Sequence, residues 1–372
     1  MKISRSKTLT PDRYTRDPRE GPDAPLIEIA TNGVELDLGG SVLDGVDRSG
    51  VGIRVHDCEG VTIRNGVIRG FYQGILAENI RQFRIENCVV SGNHNPIGSG
   101  WLGDDVIPVE GGFGGGIRLI GAIDSVLDGN IAHDNLNGID LVRCRRVTLR
   151  SNDASFNSNV GIHLQLSTDN VIENSRADHC IRFTDRFWND TADSAGILLE
   201  EHSHRNRIVG NSLRYGGDGF FIRANNRHAS NDNLVAHNDA CFSPNNAFEA
   251  VFSEGNVFEE NIADFSNYGF WLGYSRNTTV RGNRIRSNRS DGVAIEHGSR
   301  NVIENNELAD NLVGIRLWWA KSDIGDDPSE NYAVRNNTIT GSRDAAIFYT
   351  ATKDVRLDGN KLRGNTRDVV TG

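Results

Sequence analysis

Five residues of this chain have the types and spacing for acid–base chemistry: Asp140, His163, Glu200, Glu249 and Glu296. Each falls at one of two outward places in a short phrase, Gly-apolar-x-apolar, that recurs at intervals of 22 or 23 residues or a small excess over that. Asp140 and His163 lie one repeat apart, the arrangement of an oriented base, with a plain surface ion pair as the alternative. Glu249 is flanked one repeat away on each side by Phe221 and Trp271, whose rings would exclude water and raise its pKa, as a proton donor requires. Glu200 and Glu296 are its candidate partners, each two repeats away at a backbone separation of roughly 11 to 12 Å by strand spacing. Side chains leaning together from there approach the ~6.5–9.5 Å separation of an inverting glycosidase. The same outward places carry Gln165, Phe221, Arg223, Trp271, Arg316 and Trp318, with Tyr274 and His297 one step on. Aromatic faces beside arginines and carboxylates are the surroundings a sugar ring needs. Glu200 beside Arg223 also fits a structural cross-strand pair.

The elements that must position these residues follow from the repeat. The phrase reads Gly116-Ile117-Arg118-Leu119, Gly138-Ile139-Asp140-Leu141, Gly161-Ile162-His163-Leu164 and Gly196-Ile197-Leu198-Leu199. It continues from Gly219, Gly269, Gly292 and Gly314, with weaker copies at Gly52, Gly74, Ala247 and Ala346. Alternation over three or four residues is the period of a strand, and no helical stripe interrupts it. A unit this short buries its apolar face only against its neighbours, which makes a solenoid. Asn recurs at two fixed offsets after the phrase, for example Asn130, Asn152, Asn261, Asn283 and Asn306, then Asn93, Asn135, Asn157, Asn288 and Asn311. Asn stacked at a corner passes amide hydrogen bonds from turn to turn. The Leu-x-x-Leu-x-Leu signature of leucine-rich repeats is missing. The expectation is an all-β chain: a single right-handed parallel β-helix of about twelve coils with three short parallel sheets, and Ile117, Leu119, Ile139, Leu141, Ile162 and Leu164 in its core.

On these repeats the chain resembles the right-handed parallel β-helix superfamily, the pectate-lyase-like fold, over about Gly33 to Asn365. More narrowly it is similar to the branch associated with carbohydrate binding and sugar hydrolysis, which includes the periplasmic copper-maturation β-helix proteins. The resemblance implies the fold and a carbohydrate ligand. The motifs of its enzymes are not reproduced: Asp218 and Asp291 precede Gly219 and Gly292 somewhat as in polygalacturonases, but no Asp-Asp pair or Gly-His-Gly accompanies them. The Asp-Pro-His-Asp of mannuronan epimerases is absent.

Three functions remain. A glycoside hydrolase using the outward carboxylates is the first expectation. A polysaccharide lyase or epimerase with His163 or an arginine as base is the second. A glycan-binding or surface scaffold without catalysis is the third. Long insertions at 94–115 and 181–195 enter the same sheet from one side and read as a wall of the binding face, while a third at 320–330 leaves the sheet on the other side.

A formal net charge of −10 opposes loose binding to nucleic acid or membrane phosphates. No stretch approaches the roughly 18 apolar residues of a membrane helix. Residues 1–50 read as lead-in strands and a cap, continuous with 51–372 in one domain. Without an apolar leader in 1–23, the expected location is cytoplasmic, or extracellular or periplasmic if a leader has been removed. The last coil is either open or covered by another copy of the chain. Cys58, Cys88, Cys144, Cys180 and Cys241 contain no C-x-x-C and read as small buried thiols. No cofactor is expected. Asp323, Asp326 and Asp327 lack the spacing of a Ca²⁺ loop, so a solvated loop is expected there, with Ca²⁺ the lesser alternative. His202 and His204 read as a polar corner rather than a metal site.

Overall fold

The computed structural model describes residues 1–17, 19–21, 23–95, 114–181, 194–224, 228–323 and 325–372. All paired strands among them are parallel, none of these residues is in an α-helix, and the coils wind as a right-handed β-helix. The chain divides into two compact units, Met1–Asp190 and Thr191–Gly372.

In the first unit each coil contributes a strand to a first sheet, ending with Gln73–Arg81, Gly115–Ile120, Asn137–Val142 and Val160–Gln165. A second sheet contains Arg84–Glu86, Val126–Asp128, Thr148–Arg150 and Val171–Glu173. In the second unit the first sheet runs through Ala195–Glu200, Asp218–Arg223, Asn246–Ala250, Tyr268–Trp271, Val293–Glu296, Val313–Trp318, Ala345–Thr350 and Val369–Thr371. Its second sheet runs from Arg207–Val209 to Lys353–Asp358. The third sheet is less regular than expected. It forms four strands from Arg13–Thr15 to Val89–Val90 in one unit and four from Arg284–Arg286 to Lys361–Arg363 in the other. At the intervening coils it shrinks to single bridges such as Ile131↔Asp153 and Asp239↔Ile262. The segment read as lead-in and cap is itself wound into coils: Lys2–Ile3 pairs with Pro25–Ile29, which pairs with Val51–Glu59.

Inward parity accounts for the core. Ile139, Leu141, Ile162 and Leu164 are fully buried and Ile117 nearly so. In the second unit the inward residues are larger: Phe248 stacks on Phe270 at 4.9 Å between centroids, and Phe258 meets both edge-on. The leading glycine is demanded by the closeness of the coils. A Cβ at Gly138 would sit 2.6 Å from the Gly161 carbonyl oxygen, and one at Gly292 would sit 2.7 Å from that of Gly314.

The asparagine columns form hydrogen-bonded ladders, with serine taking some rungs, as where Asn152 N–H donates to Ser175 Oγ. Asn283 Oδ1 accepts from the backbone N–H of Asn261 at 2.8 Å, and Asn283 Nδ2 donates to Phe258 O at 3.0 Å and to Asn306 Oδ1 at 3.0 Å. Asn130 and Asn152 repeat the pattern in the first unit. Every rung satisfies backbone groups that the corner would otherwise leave buried and unpaired. The five cysteines are buried and free, and burial pushes the thiols of Cys88, Cys144, Cys180 and Cys241 up to about 12.

Candidate functional site

The outward column of the first sheet was expected to face solvent, and much of it does not. Asp140, His163, Gln165, Leu198, Glu200 and Phe221 are all buried, as is Ala294. Strand parity says which way a side chain points and nothing about what lies over it. The insertions read as a wall fall mostly on 96–113 and 182–193, outside the described residues.

In the first unit, Asp140 and His163 are register partners on adjacent strands. His163 Nδ1 lies 3.2 Å from Asp140 Oδ1, with side-chain exposures of 4% and 5%. Asn137 donates to the same carboxylate oxygen at 2.9 Å, and Asn159 donates to Asn137 Oδ1 at 2.8 Å. A hydrogen bond donated from Nδ1–H to Asp140 would fix the tautomer and leave Nε2 as the basic nitrogen. Arg118, buried, is the register partner of Asp140 on the other side. Tyr72, which the sequence reading passed over, is close enough for both charges to act on its phenol. Burial raises its pKa, Arg118 pulls it down and Asp140 adds to the rise. Its ring meets that of His94 at 4.5 Å. Gln165 is one alternate position further along the same strand as His163.

In the second unit the outward column reads Phe221, Glu249, Trp271, Ala294, Arg316 and Phe348 from strand to strand. The next column places Glu200 beside Arg223, and Glu296 beside Trp318. A groove of about 450 Å³ is lined by Tyr268, Trp271, Trp318, Phe348, Asp291 and Arg316. Trp271 and Trp318 meet at 5.6 Å with planes at 61°, and Tyr268 meets Trp271 edge-on at 5.0 Å. Arg316 lies over the Phe348 ring at 5.1 Å. Its Nε and Nη2 donate to the two oxygens of Asp291 at 2.7 and 3.3 Å. Burial holds the Asp291 carboxyl above the usual carboxylate range, with Arg316 pulling it back. Glu249 is half-buried and accepts a hydrogen bond from the Asn246 side-chain amide.

Tyr274 and His297 do not belong to this face. Both sit at left-handed corners, φ 57° and 53°, where the chain turns away from the sheet and strand parity ends. There they join a ring column, Phe252–Tyr274–His297–Trp319, with successive centroids at 4.3, 4.6 and 5.7 Å. His297 is buried against the Ala320 carbonyl, 2.6 Å from Nε2. The column stiffens a corner and cannot contact a ligand lying in the groove. Asp327 is tied to Arg276 at 2.6 Å. The rings of His202, His204 and His228 cluster, and His204 Nδ1 accepts from the Asn231 backbone N–H at 2.9 Å.

The family model described as "Right handed beta helix region" matches residues 189–326. The Dettilon tailspike protein shares the fold at a TM-score of 0.53 and 13% identity, over 89% of this chain and 62% of that one. The chain has the right-handed parallel β-helix fold. A second model, described as a periplasmic copper-binding protein (NosD), matches 109–247. This β-helix is also similar to PfbA, a surface adhesin of Streptococcus pneumoniae, with a TM-score of 0.49 and 10% identity over 91% of this chain and 83% of the other. The A-module of a mannuronan C-5 epimerase of Azotobacter vinelandii follows with a TM-score of 0.47 and 14% identity, over 92% and 88%. The chain spans 62% of the length of the tailspike. Among curated protein sequences none matches it. Among the described residues, no group of three or more His, Cys, Asp or Glu side chains lies together in a way that could hold a metal ion.

Asp291, Tyr268 and Phe348 entered this β-helix groove unforeseen. Asp291 stands just before the leading glycine, where the bend into the strand swings the side chain outward. The signal was present as the Asp-Gly of Asp291-Gly292, one repeat from Arg316.

Proposed function

We propose that this protein binds a poly- or oligosaccharide in the aromatic groove of the second unit and hydrolyses it with the two glutamates beside that groove. The observation carrying the reading is a pair of cross-strand neighbours, Glu249 with Trp271 and Glu296 with Trp318, on either side of Ala294. Each carboxylate stands next to an indole on which a sugar ring stacks. The two lie two strands apart and one alternate position across, roughly 11 to 12 Å between backbones. That spacing suits an inverting pair with a water between the carboxyls. The Asn246 amide favours the ionised form of Glu249, so the base role suits it better than the donor role expected from the sequence. Glu296 is then the donor. Glu200, buried beside Arg223, fits a structural pair. We place the protein in the periplasm or outside the cell, in keeping with the periplasmic family model.

The test is a panel of purified glycans assayed for new reducing ends, with the anomer of the first product read by NMR. Release of the inverted anomer, lost in both Glu249→Gln and Glu296→Gln, is the expected result. Binding without any release of reducing ends rejects the hydrolase and leaves a lectin-like protein.

A second reading rests on the first unit. An oriented His163, with Arg118 and the Tyr72 phenol close to Asp140, has the parts for removing a proton from a uronate sugar. In that reading His163 Nε2 takes the proton and Arg118 offsets the carboxylate charge of the substrate. An unsaturated, ultraviolet-absorbing product or an epimerised one from polyuronates, lost in His163→Gln, would favour it over hydrolysis.

A further inference from the structure

We infer that the groove of the second unit selects uncharged sugars and rejects uronates and other acidic glycans. This rests on the carbohydrate reading above and adds the class of sugar. The argument begins with the guanidinium of Arg316, the cation among the described lining residues. Its Nε–Nη2 edge is occupied by both oxygens of Asp291, and one of its faces lies over Phe348. A guanidinium used this way is already neutralised, and its bidentate edge is closed to a second carboxylate. Asp291 cannot swing aside at little cost, because its side chain is only 5% exposed.

What surrounds the pair has the wrong sign for an anion. Glu296 stands beside Trp318 and Glu249 beside Trp271. An acidic sugar stacked on Trp271 would bring its carboxylate toward that of Glu249, the ionised member of the pair, and like charges in contact select against a partner. A neutral pyranose meets no such barrier. Its apolar face covers the indoles, and its hydroxyls accept from the remaining guanidinium N–H groups and donate to Glu249.

The experiment measures binding of the full chain by calorimetry to two sets of hexasaccharides. One set is neutral, built from glucose, galactose, mannose or N-acetylglucosamine. The other is built from galacturonate, mannuronate or guluronate. Binding is assigned to the groove by its loss in Trp271→Ala and Trp318→Ala. At least one neutral hexamer is expected to bind there, with little change from low to high salt. Uronate hexamers are expected to bind the groove at least about tenfold more weakly. Asp291→Asn keeps the shape and releases the Arg316 charge, so it should raise the ratio of uronate to neutral affinity at least about tenfold. Should that variant fail to fold, the wild-type comparison and the two tryptophan variants still decide. Groove binding of a uronate more tightly than of every neutral hexamer overturns the inference and leaves the carbohydrate reading standing. Absence of groove binding by either set overturns both.

Discussion

The two units use one scaffold for opposite ends. In the first, neighbouring outward residues are polar and buried: Asn159, Asn137, Asp140 and His163 form a hydrogen-bonded run across adjacent strands. In the second, the same places carry large side chains, Trp271, Arg316 and Phe348 among them, that line a groove. The ladder spacing of ~4.8 Å is common to both. What differs is whether side chains one strand apart hydrogen-bond to one another or leave room for a guest. In a parallel β-helix, chemistry is therefore written by neighbours on successive rungs more than by any residue alone.

The comparison can be broken most severely through the core on which both depend. Ile162→Asp places an unpaired charge directly behind His163, and soluble expression should be lost. Recovery of that variant with a wild-type melting curve would refute the inward assignment and, with it, the outward place of His163. Next in size, Glu249→Gln should cost at least about two orders of magnitude in kcat on a neutral glycan. His163→Gln should leave the same reaction within a few-fold. The reverse pattern on a polyuronate would move catalysis to the first unit.

A smaller effect separates the packing of the two units. Phe248→Ala removes a ring from the stacked interior of the second unit and should cost about 3–5 kcal/mol in chemical denaturation. A loss below about 1 kcal/mol would show that the phenylalanine cluster is not packed as described.

The finest contrast is between two buried aspartates. Asp44 in the first unit is pushed up by burial, but the Val46 N–H, Arg69 and Arg13 together bring it below the ordinary range. Asp291 has Arg316, and burial, reinforced by Asp344, keeps it above. A lowered carboxyl stabilises the fold above its unfolded value near 3.9, and the contribution is lost as pH falls through its folded value. A raised one does the reverse: the folded state holds the proton longer, so stability falls as pH rises through the folded value. Relative to wild type, Asp44→Asn should therefore be most destabilised at neutral pH and least in acid. Asp291→Asn should compare most favourably with wild type at neutral pH and lose that advantage in acid. Parallel pH profiles for the two variants would contradict these environments.

The fold was legible because its signals are local and repeated. The Gly-Ile-x-Leu phrase fixes which residues face inward, and the asparagine columns reveal stacked corners before any strand is paired. The face was only half legible. Parity found Trp271, Trp318 and Arg316 in the groove and Asp140 beside His163. It misplaced Tyr274 and His297, because a left-handed corner resets the alternation. It missed Asp291, whose outward swing comes from the bend before the strand. Coil counting also fell short of the structure, since the coils in 1–50 and the strand Val369–Thr371 lack the leading glycine phrase.

The asparagine ladders also bear on how this molecule ages. Hydrolysis of one side-chain amide, the slow chemical damage to which asparagine is prone, would turn a rung such as Asn283 into an aspartate. The Nδ2 that now donates to Phe258 O and Asn306 Oδ1 would become an oxygen facing two oxygens in a buried corner. One damaged amide would thus open a seam between coils instead of marking the surface. Burial and the hydrogen bonds of each rung keep these corners dry and rigid, which slows that hydrolysis where its cost would be greatest.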